Sequence, residues 1–300
     1  MLREIIFNNW KSNALKKSTA ILHGILFMFF LQISTAYADG SRDLNFDLFK
    51  AAINGDSEQV INLLEQGASV KARNRFGNSA FLYAVKGGFF ELAEYLFDQG
   101  SDLNLINTKG ENALMFASRS GDFKLTKFLI DNGAEINIYS LKNITALTEA
   151  VYGGHFEIAQ LLLQHGANVD VVDNTGKTAL IYAAAEGDLE LIKLLLPKTG
   201  NINQKYGHDL TNLMWAAGYG HKDAVSLLLD SGAEPDLQDD RGKSALMIAA
   251  EAGYVDVINT LLEYGAESEL KDNDGKTAYD LATDAKYKNI SQILSVHNKT

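Results

Sequence analysis

One interval dominates this sequence of 300 residues. Glycines recur every 33 residues without a slip, at Gly55, Gly88, Gly121, Gly154, Gly187, Gly220 and Gly253. An alanine stands four positions before each of these glycines, and pairs of large apolar residues recur in phase, from Leu63-Leu64 to Leu261-Leu262. Self-similarity at a period of roughly 20 to 50 residues predicts an array of like units, each of them one supersecondary structure.

The sequence of each unit predicts two antiparallel helices followed by a projecting turn. In "KTALIYAAAEGDLELIKLLL", the hydroxyl of Thr178 can cap an Ala-rich helix that ends near Gly187. The apolar residues beyond Gly187 recur at helical spacing and predict a second helix. Gly166 can end such a helix in the left-handed conformation, which costs other residues about 1–2 kcal/mol. A single unit cannot bury its apolar face, so the units are expected to stack as a solenoid.

The stretch from Gly176 to Asp188 resembles the fingerprint of ankyrin repeats, G-x-TPLH-x-A-A-x-x-G-H. The family's Pro is replaced by Ala in most copies and its His by Leu, Met, Thr or Ile, variants that look like those of bacterial ankyrin proteins. The resemblance covers about Asn45 to Leu294. It implies an all-α ankyrin-repeat solenoid of 33-residue units with projecting β-turn tips, and a concave face that binds protein partners.

The ends of the pattern predict the domain boundaries. A first capping unit is expected at 43–72, six full units at 73–271, a last capping unit at 272–294 and a tail at 295–300. The last unit loses its inter-helix Gly, with Lys286 in that slot. One internal turn is expected to be altered, because Thr199 and Asp209 occupy glycine slots and Tyr206 replaces the usual turn Asp.

Residues 1–38 predict a signal peptide that is cleaved after Ala38. A basic stretch ends at Lys17, an apolar run follows from Ala20 to Ile33, and Ala36-Tyr37-Ala38 matches the cleavage pattern. The alternative is an uncleaved N-terminal helix that anchors the protein, although the run is shorter than the roughly 20 residues of a spanning helix. We expect an exported protein, periplasmic or else secreted. The absence of cysteine excludes disulfides and thiol chemistry.

Composition and motifs argue against several functions. The net charge is −11, and residues 39–300 hold 37 of the 38 acidic residues but 23 of the 27 basic ones, which disfavours nucleic-acid binding. The six histidines lack ligand spacing, so no metal is expected, and no phosphate loop or nucleophile elbow occurs, so neither a cofactor nor a catalytic residue is predicted. After cleavage the chain is expected to be a monomer that contacts no membrane.

The turn tips and the inner edge of the first helices form the expected binding face, and basic residues are concentrated there. The basic residues in these slots are Arg73, Arg75, Lys86, Lys109, Arg119, Lys142, Lys177, Lys205, Arg241, Lys243, Lys271 and Lys276. The acidic ones are Glu111, Glu186, Asp240, Glu251 and Asp274. One interpretation is a basic groove that steers an acidic partner. The other is that the repeat consensus places acids on the outer face and that lysines merely solvate the tips.

The segment "NIYSLKNITALTEAVYGGH" places apolar residues in the same slots. Its members Tyr139, Leu141, Ile144 and Tyr152, with Ile106 one unit earlier and Val172 one unit later, are surrounded by basic side chains as in an interface hot spot. The alternative is that Leu141 and Ile144 pack between neighbouring turns and that Tyr152 covers an Ala-rich helix. Asn143 is expected to take the left-handed conformation of the turn. The predicted partner-binding residues are Arg73, Arg75, Phe76, Lys86, Ile106, Lys109, Arg119, Tyr139, Leu141, Lys142, Ile144 and Tyr152.

These observations predict an exported ankyrin-repeat protein that binds an acidic protein partner without catalysis. It would be an accessory, protective or inhibitory partner of a periplasmic protein. A secreted effector that binds proteins of a host or rival cell is the alternative, and an enzyme is a third class without a supporting motif.

Overall fold

The computed structural model describes residues 43–297, which form sixteen α-helices and two short 3-10 helices. The predicted signal peptide and its cleavage site lie outside these residues. The first helices of the units are α1 at 43–54, α3 Ala80–Lys86, α5 Ala113–Ser120, α7 Ala146–Tyr152, α9 Ala179–Glu186, α11 Asn212–Gly218, α13 Ala245–Ala252 and α15 Ala278–Asp284. The second helices are α2 Ser57–Glu65, α4 Phe90–Asp98, α6 Phe123–Asp131, α8 Phe156–Gln164, α10 Leu189–Leu195, α12 Lys222–Asp230, α14 Val255–Glu263 and α16 Lys288–His297.

Polar caps explain where the first helices begin. From α3 to α15, each first helix follows a Ser, Thr or Asn whose side chain accepts a hydrogen bond from the third backbone N–H of the helix. Thr178, for example, accepts from the N–H of Ile181 at 3.3 Å, as the sequence predicted. Gly166 ends α8 with a φ of 82°, and Asn143 has a φ of 56°, so both adopt the expected left-handed conformation.

The core runs continuously along the array. Most alanines of the first helices are almost fully buried, and this lets consecutive first helices such as α5 and α7 or α9 and α11 pack directly on each other. Leucines and other aliphatic residues of the second helices close the other side of the core. No strand occurs between residues 43 and 297, where the only extended pairing recorded is an isolated bridge between Tyr139 and Thr145. The predicted all-α repeat solenoid is confirmed.

The predicted irregularity between Thr199 and Asp209 is present. After α10 the chain forms a 3-10 helix at Leu196–Lys198 with a proline in its first turn, and a second 3-10 helix at Gly207–Asp209. His208 and Asp209 have φ values of 61° and 57°, so two non-glycine residues share the left-handed backbone here.

The C-terminal boundary differs from the prediction. The tail was expected to begin at 295, but α16 continues to His297. No glycine or proline follows Leu294 to end the helix, and Ile290 and Leu294 hold it against the core. Within the described residues, no helix has both the length and the apolar character needed to cross a membrane.

Candidate partner-binding surface

Seven five-residue turns, here called tips, project from the helix pairs. They lie at 74–78, 107–111, 140–144, 173–177, 206–210, 239–243 and 272–276, and in each the N–H of the first residue donates to the carbonyl of the fifth. In six of the seven tips the first residue is Asn, Ser or Asp, whose side-chain oxygen accepts from the N–H groups of the third and fifth residues. This side chain fixes the shape of the tip.

Backbone hydrogen bonds join each tip to the next. The N–H of Leu141 donates to the carbonyl of Lys109 at 2.9 Å, and equivalent bonds join the other tips at a separation of 32 residues. The irregular turn breaks this spacing, because Gly207 donates instead to Gly176 at 3.4 Å. The turn glycines make the close approach possible. A Cβ on Gly110 would lie 3.0 Å from the nitrogen of Leu141.

The tips and the first helices present their side chains on one side of the array. Lys243 on a tip pairs with Glu251 on α13 at 2.7 Å, and Lys276 pairs with Asp284 on α15 at the same distance. This continuous side of the molecule, made by the tips and the exposed residues of the first helices, is called the tip surface below.

The predicted apolar residues are exposed on the tip surface. Tyr139 is 62% exposed, Leu141 73% and Tyr152 65%, and Ile106 and Phe76 are also exposed. Leu141 therefore does not pack between neighbouring turns, and that part of the alternative interpretation is wrong. Ile144 is partly buried. The ring of Tyr152 stands edge-to-face on Tyr182 with 5.4 Å between the centroids, so it contacts an aromatic ring and remains open to solvent.

The predicted residues do not form one cluster. Arg73, Arg75 and Phe76 line a groove of about 790 Å³ beside α1, together with Phe46 and Tyr83. Lys142, Ile144 and Tyr152 line a second groove of about 690 Å³, which lies farther along the array. Between them, the ammonium group of Lys86 and the guanidinium of Arg119 lie 5.5 and 5.4 Å from the ring centroid of Phe116. Lys109 and Leu141 lie on exposed parts of the tips, and Ile106 and Tyr139 are exposed one residue before them.

Arg119 differs most from its predicted role as a free cation beside the apolar residues. Its Nε donates to Glu149 at 2.8 Å, and its Nη2 donates both to Glu149 and, at 3.1 Å, to Glu111. Glu149 is buried and Glu111 is partly buried. These hydrogen bonds, opposed by desolvation, raise the pKa of Arg119 above its usual value. The arginine clamps two neighbouring units and leaves little positive charge for a partner.

Ion pairs reduce the positive charge of the tip surface at other positions as well. Arg241 pairs with the buried Asp239 at 2.6 Å, and Lys243 and Lys276 pair with the carboxylates named above. Asp239, Glu149 and Asp284 do not occupy the slots from which the sequence count was taken, so that count overestimates the positive charge. Six cations between residues 73 and 177 are in no ion pair with any described residue: Arg73, Arg75, Lys86, Lys109, Lys142 and Lys177. Lys205 and Lys271 are the other predicted cations of this face in no ion pair with a described residue, so six of these eight unpaired cations lie between residues 73 and 177.

Aromatic residues that the sequence prediction missed line the second groove. Tyr182, Trp215 and Tyr219 lie there beside Tyr152, and the rings of Trp215 and Tyr219 are stacked with 6.0 Å between their centroids. Tyr182 and Trp215 stand five positions before Gly187 and Gly220, whereas the prediction considered only the two positions before each glycine. Residues three apart on a helix share a face, so the helical period was the signal that could have found them. This groove is called the aromatic groove below.

The first residue of the tip at 173–177 fixes one wall of the aromatic groove. Asp173 is buried and accepts from the hydroxyl of Tyr182 at 2.5 Å and from Thr175 and Lys177. Burial alone would raise the pKa of Asp173, but these hydrogen bonds outweigh it and hold the pKa below its usual range. Burial and the bond to Asp173 raise the pKa of Tyr182 to about 12. Asp173 is thus ionised at neutral pH, with both of its oxygens occupied.

The comparisons with known proteins agree with this geometry. A model of ankyrin repeats matches the chain three times, at residues 48–140, 139–206 and 213–300. No curated protein matches the sequence. The matches cover most of the chain. This protein belongs to the ankyrin-repeat family, whose members are generally non-catalytic scaffolds for protein–protein interaction.

Proposed function

We propose that this chain is an exported protein that binds an acidic protein partner through its tip surface. It would act as an accessory, protective or inhibitory partner of a periplasmic protein. Membership of the ankyrin-repeat family supports protein binding in general. The signal-peptide pattern of residues 1–38 supports export.

One observation carries the choice of surface: large apolar side chains are exposed beside unpaired cations. Tyr139, Leu141 and Tyr152 each leave more than half of their surface open to solvent. Lys142 lies on the same tip as Leu141, and Lys109 lies on the tip before it. Exposed aromatic and aliphatic residues next to polar groups are typical of interface hot spots, where burial of the apolar part supplies affinity and charges supply selectivity.

A triple variant tests this proposal. Tyr139→Ser, Leu141→Ser and Tyr152→Ser remove exposed apolar area and leave the partly buried Ile144 in place. The partner is first captured with the wild-type protein from the periplasmic fraction of the source organism and identified by mass spectrometry. Sequencing of the mature chain in that fraction should begin at Asp39. We expect the triple variant to weaken binding of the identified partner at least about 100-fold, since hot-spot residues contribute roughly 2 kcal/mol or more.

The control carries Ile61→Ser, Phe123→Ser and Val296→Ser. These side chains are also exposed, but they lie on the second helices α2, α6 and α16, away from the tip surface. Circular dichroism and thermal unfolding establish that both variants are folded. A folded triple variant that binds the partner with an unchanged Kd would contradict the proposal, as would an equal loss of binding in the control.

A further inference from the structure

The aromatic groove already holds a cation of its own. The ammonium group of Lys177 lies 4.9 Å from the ring centroid of Trp215 and 5.8 Å from that of Tyr182. Among the described residues, it donates one hydrogen bond, to the hydroxyl of Thr175 at 3.3 Å, and it is in no ion pair. Because this ammonium occupies the faces that a ligand cation would use, the groove is not suited to a basic ligand.

The groove has hydrogen-bond donors that are not fully matched by acceptors. The ammonium of Lys177 has donor capacity left over, and Lys142 at the rim is exposed and in no ion pair with a described residue. A ligand that carries a carboxylate would satisfy such donors, and hydrogen bonds between charged groups are the strong ones.

Two carboxylates also line the groove, Asp173 and Glu186. Asp173 is buried, and its oxygens accept four hydrogen bonds from Tyr182, Thr175 and Lys177, so it is not available to Lys177 as an ion-pair partner. Glu186 is exposed at the end of α9 and pairs with no described residue. The negative charge of Glu186 should weaken the binding of an acidic ligand. Neutralising Glu186 should therefore strengthen that binding, whereas neutralising Lys177 should weaken it.

The walls between these charges are aromatic. Tyr152 stands edge-to-face on Tyr182, and Trp215 stacks on Tyr219, so the rings present faces and edges on which one more apolar side chain can pack. The rings come from the three consecutive first helices α7, α9 and α11 and from the residue that follows α11. The groove therefore crosses units and suits an extended segment better than a compact small molecule.

We infer that the aromatic groove binds an extended segment of a protein partner in which an aromatic or large aliphatic side chain lies next to a carboxylate. The apolar side chain packs against Tyr152, Tyr182 and Tyr219, and the carboxylate pairs with the ammonium of Lys177. This inference rests on the proposed function and adds the local chemistry of the recognised segment.

Tryptophan fluorescence can report on this groove alone. The chain has two tryptophans, Trp10 and Trp215, so the full chain with Trp10→Phe keeps Trp215 as its single tryptophan, which is excited selectively at the red edge of the absorption band. Linear peptides are selected from a randomised display library against this protein. We expect the enriched sequences to place Asp or Glu within two positions of an aromatic or large aliphatic residue. The most enriched peptide, once synthesised, should change the emission of Trp215 in a saturable manner.

Paired substitutions then test the ion pair. Replacing the peptide's carboxylate by the amide should weaken binding about tenfold or more in the wild-type groove, and less than about twofold when the protein carries Lys177→Gln. Glu186→Gln should strengthen binding of the acidic peptide. Lys193→Gln is the matched control for charge, because Lys193 lies on the second helix α10 and pairs there with Glu190. It should leave the affinity unchanged.

The outcomes separate this inference from the proposed function. Selected peptides without the acidic and apolar pair, an unchanged emission of Trp215, or equal losses in Lys177→Gln and Lys193→Gln would each overturn it. Saturable quenching by a single-stranded oligonucleotide at the same concentrations would also overturn it, because stacking bases would then be the ligand. If Lys177→Gln leaves the identified partner's Kd unchanged while the triple variant Tyr139→Ser, Leu141→Ser and Tyr152→Ser loses binding, the proposed function stands and this inference fails.

Discussion

A single side chain decides the shape of each tip. Asn, Ser or Asp at the first position receives two backbone N–H groups of the turn, and this pattern holds in six of the seven tips described. Tyr206 stands in this position in the exceptional tip, and a phenol ring cannot fold back to accept those bonds. The backbone there turns through two consecutive left-handed residues, His208 and Asp209. The irregular turn follows from the loss of one acceptor.

Asp173→Asn tests how much the carboxylate of Asp173, which accepts four hydrogen bonds, contributes to stability. The pKa of Asp173 is lower in the folded protein than in the unfolded chain, so its stabilising effect is present above about pH 4 and is lost as the pH falls through the folded value. We expect the variant to lose about 1–3 kcal/mol of unfolding free energy at pH 7 and less near pH 3, where protonation of the unfolded chain has begun to remove the effect. Urea unfolding at the two pH values measures both differences.

Asp98→Asn is the control for that experiment. Asp98 is exposed at the end of α4 and makes no side-chain hydrogen bond or ion pair with the described residues. Its substitution should change the unfolding free energy little at either pH. A loss in Asp173→Asn that is equally large at pH 7 and pH 3 would show that packing, and not the bound carboxylate, is responsible.

At the scale of the structural element, the hydrogen bonds between tips depend on a glycine in the turn. Gly110 and Gly100 both have positive φ values, 74° and 91°, but their surroundings differ. A Cβ on Gly110 would meet the backbone of Ser140 and Leu141 within about 3.1 Å, whereas one on Gly100 would meet nothing within 4 Å. Alanine at Gly100 should lower the unfolding free energy through backbone conformation alone. Alanine at Gly110 should add the free energy needed to displace the next tip.

We expect Gly100→Ala to lower the unfolding free energy by about 1–2 kcal/mol, the usual cost of left-handed backbone for alanine. Gly110→Ala should lose about 1–3 kcal/mol more, because the neighbouring backbone has to move. Thermal or urea unfolding of the two variants measures the difference. Equal losses would mean that the tips can separate at no cost and that the hydrogen bonds between them do not stiffen the tip surface.

Much of this element-level structure was readable from the sequence, because the 33-residue interval fixes which residues start helices, end them and form tips. The capping role of Thr178 and the left-handed backbone of Asn143 follow from local chemistry and were predicted correctly. The partners of Arg119 were not predicted. Glu149 lies 30 residues away, and its contact depends on how side chains of adjacent units meet, which the repeat interval alone does not specify. Tyr182 and Trp215 were missed for a different reason, since only one turn of each first helix was considered.

At the scale of the whole molecule, the distribution of charge is uneven. Residues 39–300 carry an excess of acidic residues, yet six cations between 73 and 177 on the tip surface are in no ion pair with the described part of the chain. Such a pattern gives a molecule that repels acidic proteins over most of its surface and attracts them at one region. Orientation of the partner is expected to begin before contact.

The association rate should therefore fall as ionic strength rises, because salt screens attraction over about 10 Å at 0.1 M. Stopped-flow or surface-binding kinetics with the identified partner across a salt series measure this slope. The double variant Lys109→Gln and Lys142→Gln should lower both the rate at low salt and the slope. Lys193→Gln, which lies on a second helix, should lower neither. A rate that does not depend on salt would contradict electrostatic steering.

The hydrogen bonds between tips also bear on how such a protein can change over evolutionary time. Apart from the irregular tip at 206–210, interior tips make the same backbone bond to the tip before them, and the atoms of this bond belong to the main chain. A whole unit can then be duplicated or lost from the middle of the array while the neighbouring tips join again in the same way. Each event adds or removes one row of recognition residues without disturbing the others. Specificity in this molecule can thus be altered in discrete steps of 33 residues, as well as by point substitution.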